Sequence, residues 1–173
     1  AAVSGAVAGS GGSGGGALSI GAAFTSNRIG TEGEAFATTA RVKDAQLTVT
    51  GAMSVTAENT AKITAGAGAG SAAVAISGDV AVSLAGAGAD VRNRIHADTV
   101  AEVVRSASGP AGTMLQVGSL AVTAKDTSEA RAISAGAALS VAGSGAVAVG
   151  ISIGVALARN EISGKVHALI TDA

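Results

Sequence analysis

From Leu139 to Leu157 every bulky residue stands at an odd position: Leu139, Val141, Val147, Val149, Ile151, Ile153, Val155 and Leu157. The even positions between them hold only alanine, serine and glycine. A period of two is the signature of a β-strand, whose successive side chains point to opposite faces. The pattern returns in Val74, Ile76, Val80, Val82 and Leu84, and more briefly in Leu18, Ile20 and Phe24. Neither face carries the lysine, glutamate or threonine that a solvated face selects. Burial on both faces is therefore expected, with Val147, Val149, Ile151, Ile153, Val155 and Leu157 as a core strand. The small face would let a neighbouring sheet approach closely, so that dispersion and backbone hydrogen bonds replace missing bulk. A strand spanning Leu139 to Leu157 would run about 60 Å, whereas a compact domain of this length has a radius of gyration of only about 16 Å. The run must break, at Gly143-Ser144-Gly145, or belong to an elongated particle.

Other segments predict more ordinary strands. Leu47, Val49, Met53 and Val55 alternate with Thr48, Thr50, Ser54 and Thr56, which reads as a half-exposed strand. Shorter apolar stretches occupy Val100 to Val104 and Val166 to Ile170. Charges gather in Glu58 to Lys62 and in Lys125 to Arg131, as expected of a solvated edge or turn.

Internal similarity places these elements in a larger period. Ser26-Asn27-Arg28-Ile29, Arg92-Asn93-Arg94-Ile95 and Arg159-Asn160-Glu161-Ile162 align with their asparagines 66 and 67 residues apart. Ser54-Val55-Thr56-Ala57-Glu58-Asn59-Thr60 matches Ala121-Val122-Thr123-Ala124-Lys125-Asp126-Thr127 at an offset of 67. Val74, Val80 and Val82 map onto Val141, Val147 and Val149 at the same offset. The chain then holds about two and a half units in a single array, 1–45, 46–112 and 113–173, with both ends inside a unit; Asp172-Ala173 matches Asp44-Ala45. Such a chain is a slice of a longer array or a subunit that joins others end to end. The expected fold is all-β, an elongated β-solenoid or stacked β-repeat array. A period of 67 would divide into about three coils of 22 residues or two of 33.

Composition narrows the chemistry. Glycine supplies 26 of 173 residues, while cysteine, tryptophan and tyrosine are absent and phenylalanine occurs twice. That removes disulfides, thiol chemistry and aromatic stacking of bases or sugars. Eleven basic residues against 12 acidic ones leave a net charge of −1, so no field draws in nucleic acid. Charged residues at 13% and a mean hydropathy of +0.51 belong to an ordered chain, not a disordered one. The first residues show no initiator methionine and no basic stretch ahead of an apolar one.

Two resemblances follow from particular segments. Gly66-Ala67-Gly68-Ala69-Gly70-Ser71 resembles the hexapeptide of silk fibroin, in which small faces of stacked sheets pack closely. The run from Val147 to Ile162, the following Val166-His167-Ala168-Leu169-Ile170 and the stretch Val55 to Ile63 resemble the alanine-, glycine- and valine-rich repeats of giant bacterial filamentous adhesins and haemagglutinin-like exoproteins. That resemblance implies an extracellular, elongated β-rich stalk or fibre at the cell surface, without catalytic residues.

Single motifs weigh less. Asn27, Asn93 and Asn160 recur where the small-residue strands end. They suit a turn or a stacked asparagine whose amide satisfies backbone groups, more than a ligand ladder. Arg28, Arg92, Arg94 and Arg159 are expected on the solvated side beside them. Gly78-Asp79 and Gly88-Ala89-Asp90 lack the nine-residue recurrence of a calcium roll. Thr48 and Thr50 form a threonine-x-threonine pair like those of flat ice-binding faces, but the second unit reads Leu115-Gln116-Val117. His96 and His167 do not occupy equivalent positions, since a shift of 67 takes His96 to Ser163 and Val100 to His167. No nucleophile, histidine and carboxylate form a recognisable set, and Gly11 to Gly16 lacks the lysine of a phosphate loop.

Ala132 to Ala158 is 27 residues without charge, long enough for a membrane helix. Strict period two argues against a helix, and the missing aromatics argue against a membrane barrel. The expected function is a non-catalytic structural segment that partners itself and takes no cofactor or metal. The alternatives are a binding module, for a partner or ice, that uses one flat β face, and a membrane-embedded assembly.

Overall fold

The computed structural model describes residues 1–31, 33–104 and 115–171. Among these residues ten strands follow in chain order: β1 Ala2–Ser10, β2 Gly15–Ile29, β3 Phe36–Lys43, β4 Leu47–Asn59, β5 Lys62–Ser77, β6 Val80–Val104, β7 Leu115–Asp126, β8 Glu129–Ser144, β9 Val147–Ser163 and β10 Val166–Thr171. Among the described residues there is no helix, so the fold is all-β. The long alternating run breaks where glycine and serine cluster, between Ser144 and Val147. The charged segments at Glu58 to Lys62 and Lys125 to Arg131 include the connections from β4 to β5 and from β7 to β8.

Strand pairing follows the long offset of the sequence. β1 and β5 are parallel, with Ala2 opposite Ala69 and Ser10 opposite Ser77. β10 and β6 are parallel, with Val166 opposite Thr99. β4 and β7 are parallel, with Ser54 opposite Ala121 and Asn59 opposite Asp126, after a register shift between Val49 and Ala52. β3 departs from the period, since Phe36 lies opposite Ala97. Bonded partners are thus a whole sequence period apart in most pairs, and among the described residues no such ladder joins strands 22 or 33 residues apart. The subdivision expected within the period is not what these pairs follow. The unit boundary at 112 and the match of Asp172-Ala173 lie outside the described residues.

The chain forms two compact units, each built from three segments. The first comprises Ala1–Asn27, Thr64–Asn93 and Arg131–Asn160; the second comprises Arg28–Ile63, Arg94–Ala130 and Glu161–Ala173.

In the first unit β5 lies between β1 and β8, and β6 has β2 and β9 as bonded neighbours. The two layers meet through their small residues. Ala17, Ala73, Ala75, Ala81 and Ala85 form one buried cluster, and Ala23, Ala65, Ala67, Ala69, Ala87, Ala89 and Val91 form another. Serine hydroxyls bridge the gap: Ser83 Oγ donates to the Ala73 carbonyl at 2.8 Å, Ser134 Oγ to the Ala89 carbonyl at 2.9 Å, and Ser4 Oγ lies 2.9 Å from Ser19 Oγ. A Cβ on Gly136 would stand 2.5 Å from the Val155 carbonyl oxygen, so glycine there permits the approach of the backbones.

This arrangement overturns the expectation of a core strand at Val147, Val149, Ile151, Ile153, Val155 and Leu157. They are 41–61% exposed. Their counterparts Leu18, Ile20, Phe24, Val80, Val82 and Leu84 also face outward. The reason is the width of the gap. Layers close enough for a serine hydroxyl to reach the opposite carbonyl leave little volume for valine or isoleucine, Val91 being buried among alanines, so the bulky face turns away. Burial on both faces, expected from the lack of polar residues, does not occur.

The second unit has a more familiar interior. Val55 and Ala57 of β4 and Ala101 and Val103 of β6 are buried together, with Val42, Met53, Leu115, Leu120 and Val122 packed against them. Ser54 and Thr56 of β4 point outward. A smaller cluster joins Ile63, Ile95 and Ala97. Gly30 takes a left-handed conformation at φ 74°, and its Cα faces the His96 carbonyl, so a side chain there would meet both strain and backbone.

Candidate functional site

The asparagines singled out in the sequence come together in the first unit. Asn27 Nδ2 donates to Asn93 Oδ1 at 3.1 Å, and Asn93 Nδ2 donates to Asn160 Oδ1 at 3.0 Å. Asn93 Nδ2 also donates to the Arg131 carbonyl at 2.8 Å. A carbonyl only accepts, so that contact fixes which end of the Asn93 amide is nitrogen and hence the direction of the whole row. The strands do not end here. β6 continues from Asn93 to Val104, so the asparagines stack across neighbouring strands instead of closing turns. Their arginine neighbours Arg28, Arg92 and Arg159 are exposed and Arg94 is half-buried. Arg92 turns to Asp90, with Nε and Nη2 each 2.9 Å from Oδ2.

The second unit carries a parallel set of polar rows. Asn59 Nδ2 donates to Asp126 Oδ2 and to Ser128 Oγ, both at 3.2 Å. The Ser128 amide donates to Asp126 Oδ1 at 2.7 Å. Burial pushes the Asp126 carboxyl up, but the Ser128 hydroxyl, the Ser128 amide and Asn59 outweigh it and hold it below the ordinary value of 3.8. Opposite charges face each other one period apart: Lys125 with Glu58 at 2.8 Å, Lys62 with Glu129 at 2.8 Å and Arg94 with Glu161 at 3.0 Å; Arg41 pairs with Glu102 across the shifted register of β3 and β6. The offset of 67 shared by Glu58 and Lys125 was legible in the aligned segments; the polar function of Asn59 was not, because its partner is an aspartate.

The two histidines lie apart from the asparagine row. His96 Nδ1 lies 3.0 Å from Ser163 Oγ, the residue one period on. Among the described residues no carboxylate bonds the ring, so the arrangement lacks the third member of a triad. His167 lies on β10 opposite Val100. Among the described residues no three histidine, cysteine, aspartate or glutamate side chains gather as metal ligands. Thr48 stands opposite Gln116, so the threonine row of an ice face stops after one strand. In the first unit Phe24, Thr25, Ser26, Asp90 and Arg92 line an open depression of about 360 Å³. In the second, Asp126, Ser128, Ile162, Ser163, Gly164 and Val166 line one of about 290 Å³. Both are open, shallow surfaces. No helix among the described residues is long and apolar enough to cross a membrane.

The outer face of the first unit is aliphatic. Leu18, Ile20 and Phe24 of β2, Val80, Val82 and Leu84 of β6 and the alternating aliphatics of β9 all meet solvent. Comparison with known proteins gives no match: no family model, no curated protein and no solved structure matches the chain.

Proposed function

We propose that this chain is a non-catalytic structural repeat segment, a β-solenoid whose successive turns stack their strands to build an extracellular fibre, sheath or adhesin stalk. Its partner is itself, end to end or repeat to repeat, with no cofactor and no nucleic acid. The bacterial cell surface is the setting that the repeat composition suggests. The observation that carries this reading is the pairing of strands a full period apart, as in Ala2 with Ala69 and Asn59 with Asp126. Partners at that spacing extend the backbone ladder along one axis, and each added turn offers an edge for the next. The asparagine row and the ion pairs between neighbouring strands hold the register, and the close alanine, glycine and serine layers resist opening. Electron microscopy and fibre diffraction of the purified chain test it. Filaments with a spacing near about 4.8 Å are expected. Monodisperse particles with a helical circular dichroism spectrum would overturn both fold and function.

A second reading, a membrane-embedded β assembly, is favoured by one observation: the outer faces of the first unit are aliphatic while its interior is small. Open strand edges count against it, since unpaired backbone groups are costly in lipid. Flotation of the purified chain with phospholipid vesicles would support that reading; recovery in the aqueous fraction would remove it.

A further inference from the structure

At three positions along β2, the residue that β9 holds suits β2 better than the residue that β6 holds there. The offset of 66 between β2 and β6 holds at Asn27 beside Asn93 and at Gly30 against His96. The offset of 67 between β6 and β9 holds at Asn93 beside Asn160, Arg94 beside Glu161 and His96 beside Ser163. Counting along these registers, Ile20 neighbours Gly86, which neighbours Ile153. Phe24 neighbours Asp90, which neighbours Leu157. Arg28 neighbours Arg94, which neighbours Glu161. Within the chain β2 therefore sets an isoleucine beside a glycine, a phenylalanine beside a carboxylate and an arginine beside an arginine. β9 holds the residues those three positions lack. Ile20 and Phe24 are 68% and 79% exposed, and Ile153 and Leu157 are 61% and 48% exposed.

We infer that β9 of one copy pairs with β2 of a second copy, parallel and in the register that sets Asn160 beside Asn27. This interface rests on the fibre reading and specifies its junction. In the first unit it makes cross-strand pairs of Ile153 with Ile20 and Leu157 with Phe24, the close apolar neighbours that stabilise a sheet. It also continues the asparagine row without a break. Each amide nitrogen points toward the higher-numbered neighbour, so Asn160 Nδ2 meets Asn27 Oδ1 of the second copy. The row is polar, and a head-to-head contact would set donor against donor. In the second unit Glu161, already paired with Arg94 of its own chain, gains Arg28 of the second copy on its other side, which gives Arg28 an opposite charge on the edge away from its own Arg94. Arg159 falls beside Ser26, so no new cation pair forms.

The test is sedimentation velocity and electron microscopy of the whole chain over a range of concentrations, with a Phe24→Asp, Arg28→Glu double variant. Both side chains are exposed, and an unchanged circular dichroism spectrum establishes that the variant is folded. Wild type is expected to lengthen with concentration, and the variant to need at least about tenfold more protein for the same assembly, since apolar and charged cross-strand partners are lost together. The variant keeps an intact β9. Added at a few per cent to wild type, it should cap filaments at one end and shorten them. Wild-type filaments that the variant neither fails to form nor shortens would overturn this junction and leave the fibre reading standing. Closed dimers in place of open assemblies would overturn it as well. A wild type that does not associate at any concentration would remove the fibre reading itself.

Discussion

At the scale of single residues, Asn93 joins three others. It is 2% exposed, accepts from Asn27 and donates to Asn160 and to the Arg131 carbonyl. Asn93→Ala leaves those groups unpaired in a place where water cannot replace the bond, and a loss of about 2–3 kcal/mol is expected in denaturant unfolding. Asn160→Ala, at the exposed end of the row, is expected to cost less than about 1 kcal/mol. Equal losses would show that the row does not act as a connected set. The recurrence of asparagine at 66 and 67 residues made this row legible in the sequence. Its site within continuing strands was not, because recurrence states which residues align and not where the backbone turns. Asp126 offers a second test at this scale. Its folded carboxyl titrates below its ordinary value because the Ser128 and Asn59 hydrogen bonds favour the anion. A depressed folded pKa contributes stability that is complete above the unfolded value and is lost as pH falls through the folded one. Unfolding followed from neutral pH down through the carboxylate range should therefore show a shallower acid loss in Asp126→Asn than in wild type. An identical acid limb in the two proteins would mean that Asp126 gains nothing from its partners.

At the scale of elements, period two correctly signals strands but leaves open which face is inside. Bulk normally decides that question, and for β4 in the second unit it does: Val55 is buried and Thr56 is not. In the first unit bulk points the wrong way. The deciding quantity there is the gap between layers, set by contacts such as Ser83 with Ala73 and Gly136 against Val155. Those contacts join different strands across a turn, so the alternation within one strand does not contain them. The reversal has an opposite pair of consequences. Ile153→Ala is expected to change unfolding stability by less than about 1 kcal/mol, where a buried isoleucine would cost about 2–5 kcal/mol. Ala85→Leu, on the small face at 4% exposure, is expected to lose about 1–3 kcal/mol through overpacking. If the isoleucine substitution proved the costlier of the two, the bulky face would be the buried one.

At the scale of the whole molecule, the period of 67 in the sequence is the spacing at which most strands pair, while the inference that each period would hold two or three shorter turns fails. Only the register of bonded strands, a long-range property, could separate those divisions. The reversed faces also bear on how the molecule responds to heat. Unfolding raises heat capacity chiefly by exposing apolar surface, and an ordinary chain of this length would show about 2.1–2.6 kcal/mol/K. Here many of the largest aliphatic side chains meet water in the folded state, and the buried clusters of the first unit contain alanine with a single valine. Less apolar surface is therefore newly exposed when the chain unfolds. Calorimetry at dilutions where the chain is monomeric is expected to give a heat-capacity change below about 2 kcal/mol/K. A smaller value flattens the stability curve, so the folded state persists over a wider temperature range for the same maximum stability. Edge pairing would cover the flanks of outer aliphatics such as Ile20 and Ile153 and restore a small part of the missing term, so the assembled chain should show a modestly larger heat-capacity change per molecule. A monomer value within or above the ordinary range would place those side chains inside, and with them the surface on which both the fibre and its junction depend.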